Sequence, residues 1–225
     1  FDYSDAQLRH LLANDSDPFN RWEAGQRLAM RCALHAIGEG DAVPSAPLGA
    51  DFLDALRGVL RHPTLDAAFK ELVLTLPSEA YIAEQLQVVD PQRIHAVREA
   101  MRVQLAQALH EDWEWAFEAH KDTGAYQPDP VSSGKRALAG QALAMLCLAA
   151  VQQPEGPGRD VWPGKTYERF KQAGNMTDRF NALSALVQSG HALAQPALAR
   201  FHALFKDEAL VLDKWFALQG GASDR

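Results

Sequence analysis

Apolar residues recur at helical spacing along nearly the whole of this chain, and no segment shows the sustained alternation of a half-buried strand. Apolar positions three and four residues apart form one stripe along a helix, whereas strict alternation forms one face of a strand. The stretch 18–38 shows the helical pattern in a broad stripe of apolar residues: Trp22, Leu28, Ala29, Cys32, Ala33, Ala36 and Ile37. The sequence therefore predicts an all-α protein.

Capping residues, prolines and glycines divide this pattern into separate helices. Asp17-Pro18 and Asp90-Pro91 each place a capping Asp before a Pro at the first helical position. The predicted elements are a helix after the capping box Ser4–Gln7, then helices at about 18–38, 50–61, 64–75, 78–86, 92–121, 134–152, 164–173, 176–189, 195–206 and 207–219. The range 92–121 is either one long helix or a kinked pair, and the predicted loops are 38–49, 122–132 and 153–163.

The short connections between these helices limit how they can pack. Consecutive helices joined by short loops pack antiparallel, and so many hairpins exceed what one simple bundle holds. We therefore predict an irregular α-solenoid, or superhelix, of about eleven antiparallel-packed helices that forms a single all-α region over residues 1–225. The helix lengths vary too much to indicate a fixed repeat period.

The charge of the chain argues against two classes of partner. It carries 29 acidic and 22 basic residues, a net charge of −7, and its basic residues are scattered. Nucleic acids and anionic membranes attract proteins with a basic face, so neither partner is expected. No apolar run approaches the roughly 18 residues that span a bilayer, and the first residues do not resemble a signal peptide.

Two cysteines, Cys32 and Cys147, lie in apolar helical patterns, without a second cysteine at metal-binding spacing. We predict that both are buried and act as small hydrophobic residues. Unpaired thiols are typical of a reducing compartment, so a cytoplasmic location is expected.

The histidine-containing segments do not predict a metal site. The run His110–Glu114 begins like the H-E-x-x-H helix of zinc peptidases, but a Glu takes the place of its second His. His95 and Glu99 lie four residues apart on one predicted helix and could share a metal, although we favour a solvated pair. The sequence contains neither a nucleophile elbow nor a phosphate-binding loop. No catalytic residue, metal or cofactor is therefore assigned to this chain.

The start of one predicted helix carries a candidate for ligand binding, formed by Asn175, Thr177, Asp178 and Arg179. An anionic group, such as a peptide carboxylate, could bind the N–H groups of this helix start together with Arg179. The alternative is plain capping by Asn175 or Thr177, with the charge of Asp178 favourable to the helix dipole.

Large apolar and basic residues mark three further segments. Trp113 and Phe117 share a helix face and are predicted core, while Trp115 meets either a neighbouring domain or a covering loop. The segment 213–219 is dense in large apolar residues and is also predicted core. The run Gly134–Arg136 is predicted to be a solvated helix start rather than a surface for an acidic partner.

Seven segments, spread in order over nearly the whole chain, follow a known pattern. They are 3–8 (YSDAQL), 17–26 (DPFNRWEAGQ), 74–78 (LTLPS), 90–91 (DP) with 97–100 (VREA), 135–138 (KRAL), 175–178 (NMTD) and 212–219 (LDKWFALQ). In this order they resemble the C-terminal helical domain of bacterial aminopeptidase N, a family of zinc gluzincin aminopeptidases.

The resemblance implies that this chain is a fragment of a zinc-dependent aminopeptidase, similar to membrane alanyl aminopeptidase, that removes N-terminal amino acids from peptides. The zinc ligands of that family lie in an earlier catalytic domain, so the fragment itself is expected to be inactive and to hold no zinc. It would form the larger N-terminal part of the C-terminal domain, which walls the substrate cavity and restricts access. Asn175, Thr177, Asp178 and Arg179 are then the candidates to face that cavity.

The resemblance also implies the partners. In the parent they would be peptide substrates and the missing catalytic domain. For the fragment, self-association is a further expectation, through apolar surface that the missing parts would cover. The alternative interpretation is a free-standing helical-repeat scaffold that binds a protein partner, and a small-molecule-binding regulator is a weaker third. An upstream H-E-x-x-H in the same reading frame would favour the enzyme.

Overall fold

The computed structural model describes residues 2–40, 42–121 and 124–221, and all regular structure in these ranges is helical. The helices are α1 (Asp5–Asn14), α2 (Pro18–Gly38), α3 (Ala50–Arg61), α4 (Ala67–Leu74), α5 (Glu79–Ala83), α6 (Pro91–Ala108), α7 (His110–His120), α8 (Pro130–Val151), α9 (Pro157–Gln172), α10 (Met176–Ser189), α11 (Ala194–Phe205) and α12 (Ala209–Gly220). The all-α prediction is confirmed. The described ranges hold twelve helices because 92–121 is a pair, interrupted at Leu109, whose ψ of 25° departs from helical geometry.

Contacts divide the chain into two compact units, Phe1–Asp112 and Trp113–Arg225. In the first unit, α2 packs against α1, α4, α5 and α6, and α1 also contacts α3. The residues at these contacts are fully or almost fully buried, and they include Leu8, Leu12, Leu28, Ala33, Leu56, Leu60, Ile94, Val97 and Met101. The longest helix of this unit, α2, therefore packs against four of its neighbours, while α3 packs against α1 and α4.

Charged side chains fix the end of the first unit. Arg57 and Arg61, one turn apart on α3, donate from their Nε atoms to the two carboxylate oxygens of Asp112, at 3.0 and 2.7 Å. Asp112 is only 8 % exposed, and each of its two oxygens accepts from a guanidinium group. This clamp holds the first residues of α7 against α3.

In the second unit, α8, α9 and α10 pack against one another, and α11 contacts α10 and α12. The core of the α9–α11 part consists of Phe170, Ala182, Leu183, Leu186, Val187, Ala194, Ala197, Leu198 and Phe201. Trp113 and Phe117 are buried as predicted, and Trp115 is half-buried with its ring edge-on to His120 at 5.7 Å.

Helix α8 is the most apolar element, and one expectation about it needs correction. It is long and apolar enough to cross a membrane by length and composition, whereas no such segment was expected from the sequence. Within the protein, however, 72 % of its apolar 18-residue window is buried. Contacts with α9 and α10 account for its composition, because a helix covered on several sides has no need of a polar face.

Three predicted boundaries were wrong for local reasons. Helix α8 begins at Pro130 rather than after Ser133, because the Asp129 side chain accepts the Ser132 N–H at 3.0 Å. Helix α4 is capped by Asp66 and not by Thr64. Helix α9 begins at Pro157 and continues through the buried Pro163, where a loop was predicted. A proline at the first helical position is favourable, and Pro163 removes only one hydrogen bond of the helix.

Two further predictions of side-chain burial were wrong. Helix α12 has no buried residue, and Phe216 is 62 % exposed, although the segment was predicted to be core. Only one side of α12 is covered, where Trp215 Nε1 donates to the Leu198 carbonyl at 3.1 Å. Arg136 is 1 % exposed rather than solvated, because its guanidinium stacks on Tyr126 and donates to the Gln127 carbonyl.

Helices α8 and α10 approach each other closely at Gly140. A Cβ atom added there would lie 2.5 Å from Asn181 Nδ2 and 2.8 Å from Asn181 Cγ. The Asn181 amide cannot swing away freely, because it donates to the Arg136 carbonyl at 3.2 Å. Glycine at position 140 is therefore a packing requirement.

We expect Gly140→Ala to lower the free energy of unfolding by about 1–3 kcal/mol, since the added methyl displaces Asn181. The matched control is Gly164→Ala in α9, where an added Cβ meets nothing within 4 Å. That change should stabilise the protein by about 0.5–1 kcal/mol, because it lowers the entropy of the unfolded chain. Urea unfolding measures the free energy of unfolding of both variants. Equal effects at the two positions would contradict the close contact, and a Gly140→Ala/Asn181→Ala double variant should lose less than the sum of the single changes.

The two cysteines differ in their surroundings. Burial raises the pKa of Cys147 to about 12, partly opposed by its contact with the Thr166 hydroxyl at 3.2 Å. Cys32 is only half-buried, although burial also raises its pKa. The prediction of burial is thus confirmed fully for Cys147 alone.

A raised pKa leaves less thiolate at a given pH, and thiolate is the reactive form. In a Cys32→Ser variant we expect a thiol reagent at pH 8 to label Cys147 only as fast as the protein unfolds. In a Cys147→Ser variant, Cys32 should react faster under the same conditions. Labelling of native Cys147 at the rate of a free thiol would contradict its buried position.

Candidate functional site

The sequence-predicted site lies at the junction of α9 and α10. Asn175 is the N-cap of α10, and its Oδ1 accepts the Asp178 N–H at 2.8 Å. Its Nδ2 donates to Asp178 Oδ2 at 3.0 Å. The same carboxylate oxygen accepts from Arg169 Nη2 at 3.0 Å, so the end of α9 is tied to the first turn of α10.

Arg179 extends this junction in the opposite direction along the chain. Its guanidinium donates to the carbonyls of Phe170 and Ala173, at 3.2 and 2.6 Å, and lies 5.9 Å from the Phe170 ring centre. These carbonyls belong to the last turn of α9 and the residue after it, where a cation is favourable. Loss of solvent, together with the charge of Arg200, lowers the pKa of Arg179.

The geometry brings three of the four predicted residues together and uses their polar groups inside the protein. Asn175 caps the start of α10, and Asp178, which is 8 % exposed, pairs with Arg169. Arg179 donates to carbonyls at the end of α9. Thr177 is the exposed member of the set. This arrangement is the capping alternative foreseen from the sequence. Whether the four residues face a substrate cavity stays a prediction.

A pocket that the sequence did not indicate lies where the start of α9 meets the α10–α11 turn. Its volume is about 540 Å³, and it is lined by Glu155, Gly156, Arg159, Asp160, Gly190, His191 and Ala192. His191 Nε2 lies 2.8 Å from Asp160 Oδ1, and the Leu193 N–H donates to His191 Nδ1 at 3.2 Å. Because Nδ1 accepts, Nε2 carries the proton and donates to the carboxylate.

This His–Asp pair could relay or hold a proton, but none of the residues that line the pocket carries a hydroxyl or a thiol. Ser189 Oγ donates to the Leu186 carbonyl and accepts the His191 N–H. Asp160 and His191 are 31 residues apart in the sequence, and no spacing rule links them. Only the fold brings them together, so no sequence pattern could predict the pair.

The histidines considered as metal ligands are engaged elsewhere. His95 Nδ1 lies 2.8 Å from Glu79 Oε1, and Glu99 pairs with Arg102 at 2.8 Å. The His95–Glu99 pair stays a prediction. Across residues 2–40, 42–121 and 124–221, no three His, Cys, Asp or Glu side chains group together as metal ligands. The described residues therefore do not fit a zinc ion.

Comparison with known proteins gives related sequences over almost the whole chain. It is 35 % identical to the aminopeptidase N of Caulobacter vibrioides over 211 residues, which is 93 % of this chain and 23 % of that protein. It is 30 % identical to the aminopeptidases N of Haemophilus influenzae and Escherichia coli, with 100 % and 97 % of this chain covered. The chain thus spans about a quarter of the length of these relatives.

A solved structure shares the fold. The crystal structure of Legionella pneumophila aminopeptidase A in complex with aspartic acid superposes with a TM-score of 0.80 over 100 % of this chain and 26 % of that one, at 21 % sequence identity. The expected resemblance to the C-terminal helical domain of aminopeptidase N is confirmed by these matches. Residues 5–225 match the family described as "Domain of unknown function (DUF3458_C) ARM repeats", and this chain belongs to that family.

Proposed function

We propose that this chain is a non-catalytic part of a zinc-dependent aminopeptidase, and that it walls the cavity through which peptides reach the catalytic centre. The observation that carries the proposal is the sequence similarity to three aminopeptidases N over at least 93 % of the chain. The chain corresponds to less than a quarter of each relative, which leaves ample length for a catalytic domain elsewhere. The parent enzyme would act in the cytoplasm.

The organisation of the described residues supports a structural rather than a chemical role. Their polar clusters, at Asp112 and at the α9–α10 junction, join helices to one another. Zinc would be held by another part of the parent polypeptide, since the described residues provide no group of ligands for it. We therefore assign no catalytic step to the side chains of this chain.

We expect the purified 225-residue chain not to hydrolyse an aminoacyl-arylamide, with or without added zinc. An aminopeptidase N of one of the relatives serves as the positive control, and a chelator separates zinc-dependent turnover from background. Chelator-sensitive hydrolysis that copurifies with the chain and persists after a second, independent purification would overturn the proposal. An upstream H-E-x-x-H in the reading frame would support the enzyme against a free-standing scaffold.

We further propose that the chain by itself associates through α12. Leu210 and Phe216 are 81 % and 62 % exposed, and Leu204 on α11 is 51 % exposed, so large apolar side chains face solvent here. Such a surface is normally covered, either by another part of a polypeptide or by a second copy.

In sedimentation velocity over a concentration series, the wild-type chain should show association that a Leu210→Ser/Phe216→Ser variant weakens at least about tenfold. Val131→Ser is the matched control, because Val131 is 67 % exposed but lies at the start of α8. A strict monomer at high concentration, or association that the double change leaves intact, would contradict this role of α12.

A further inference from the structure

An apolar groove opens on the surface of the first unit between the start of α2 and α4. It has a volume of about 310 Å³ and is lined by Pro18, Phe19, Trp22, Phe69 and Leu72. Phe19 is 61 % exposed and Leu72 is 47 % exposed, so the apolar walls face solvent rather than the core. We call this surface the α2–α4 groove.

The size and lining of the groove limit what it can hold. Its volume is at the lower end of the range for small-molecule sites, about 300–1,000 Å³. Its five lining residues carry no charge and no side-chain donor other than the Trp22 indole N–H. A groove of this kind fits one large apolar side chain better than it fits a polar metabolite or a cofactor.

The two helices that line the groove each begin with a capping carboxylate. Asp17 Oδ1 accepts the Phe19 N–H at 2.8 Å, and Asp66 Oδ1 accepts the Phe69 N–H at 2.8 Å. The two acidic groups are therefore held within hydrogen-bond distance of the backbone of the groove's two phenylalanines. Both aspartates are exposed, so their outer surfaces are available to a ligand.

The basic residues nearest in sequence to the two aspartates are both buried. Arg21 donates to the carbonyls of Leu12 and Ala13. Lys70 feels the charge of Asp66 but is only 4 % exposed, and burial lowers its pKa. The basic groups closest in sequence thus lie inside the protein, while the acidic groups lie outside.

A second depression in the same unit lies between α1 and α2. It has a volume of about 330 Å³, and Asp15 and Glu23 are among its lining residues. Arg27 also lines it and is stacked on Tyr3 at 5.6 Å. At the level of the sequence, residues 1–112 carry 17 acidic and 10 basic residues, whereas 113–225 carry 12 of each. The whole charge imbalance of the chain therefore belongs to the unit that holds the groove.

We propose that the α2–α4 groove docks a peptide segment of a separate protein chain, in which a large apolar side chain is flanked by lysine or arginine. The apolar side chain enters between Phe19 and Leu72, and the flanking cations lie against Asp17 and Asp66. Burial of the apolar anchor supplies the affinity, while the paired charges set the specificity and the dependence on salt. This inference goes beyond the proposed function and does not depend on it.

The chain allows the apolar and the charged parts to be tested separately. Three dye-labelled peptides are compared by fluorescence anisotropy: one Phe between lysines, the same Phe between glutamates, and a version of the first with Ser in place of Phe. We expect the Lys-flanked Phe peptide to bind at least about tenfold more tightly than either of the others. Its affinity should fall as salt is raised.

Two sets of variants locate the binding. Phe19→Ser/Leu72→Ser should weaken binding of the Lys-flanked Phe peptide at least about tenfold, and Val88→Ser, at a residue 84 % exposed outside the groove, should not. Asp17→Asn/Asp66→Asn keeps both helix caps, because asparagine is also a good N-cap residue. It should weaken binding and flatten its salt dependence, whereas Asp90→Asn, at the cap of α6, should change neither.

Several outcomes would overturn the proposal. They are equal binding of the Lys- and Glu-flanked peptides, unchanged binding by the Phe19→Ser/Leu72→Ser variant with an unchanged melting curve, and self-association that this variant abolishes. The last would show that a second copy occupies the groove. If the isolated chain binds the peptide and a longer form of its polypeptide does not, the groove is covered from within, which also overturns docking of a separate chain. None of these results bears on whether the chain hydrolyses peptides.

Discussion

Each helix in this chain has an apolar face that only another helix can cover, and the architecture follows from that requirement. Helix α8 shows it most clearly: it is apolar on most of its circumference, and α9 and α10 both pack against it. The contact with α10 is close enough that only glycine fits at position 140. In the first unit, α2 is covered in the same way, because α1, α4, α5 and α6 pack against it. Once these long helices are covered, the short ones have few places left to lie.

How well the sequence predicted the fold depends on how local each feature is. The bounds of α2, α3 and α10 were predicted correctly, because Asp17-Pro18, Asn175 and Gly190 act within one turn of the helix. The predicted start of α9 at residue 164 is too late, because Pro157 begins the helix and Pro163 is tolerated inside it. The exposure of α12 was missed because apolar composition does not say whether a covering partner is present.

The candidate site shows the same division between local and long-range features. Capping by Asn175 was foreseen as an alternative, since it needs only the residues that follow it. The pairing of Asp178 with Arg169 and of His191 with Asp160 depends on how α9, α10 and their connecting turns are folded. Arg179, named for an anionic ligand, instead closes the end of α9, so its donors are used by the protein. Side chains with obvious binding chemistry here join helices to one another.

The proposed role requires that the metal lie in another part of the parent polypeptide and not in this chain. Native mass spectrometry of the purified chain, after exposure to zinc and removal of loosely held ions, tests this most directly. We expect the mass of the metal-free chain. One zinc ion per chain, retained against a chelator and lost when His110 or His95 is replaced by alanine, would contradict it.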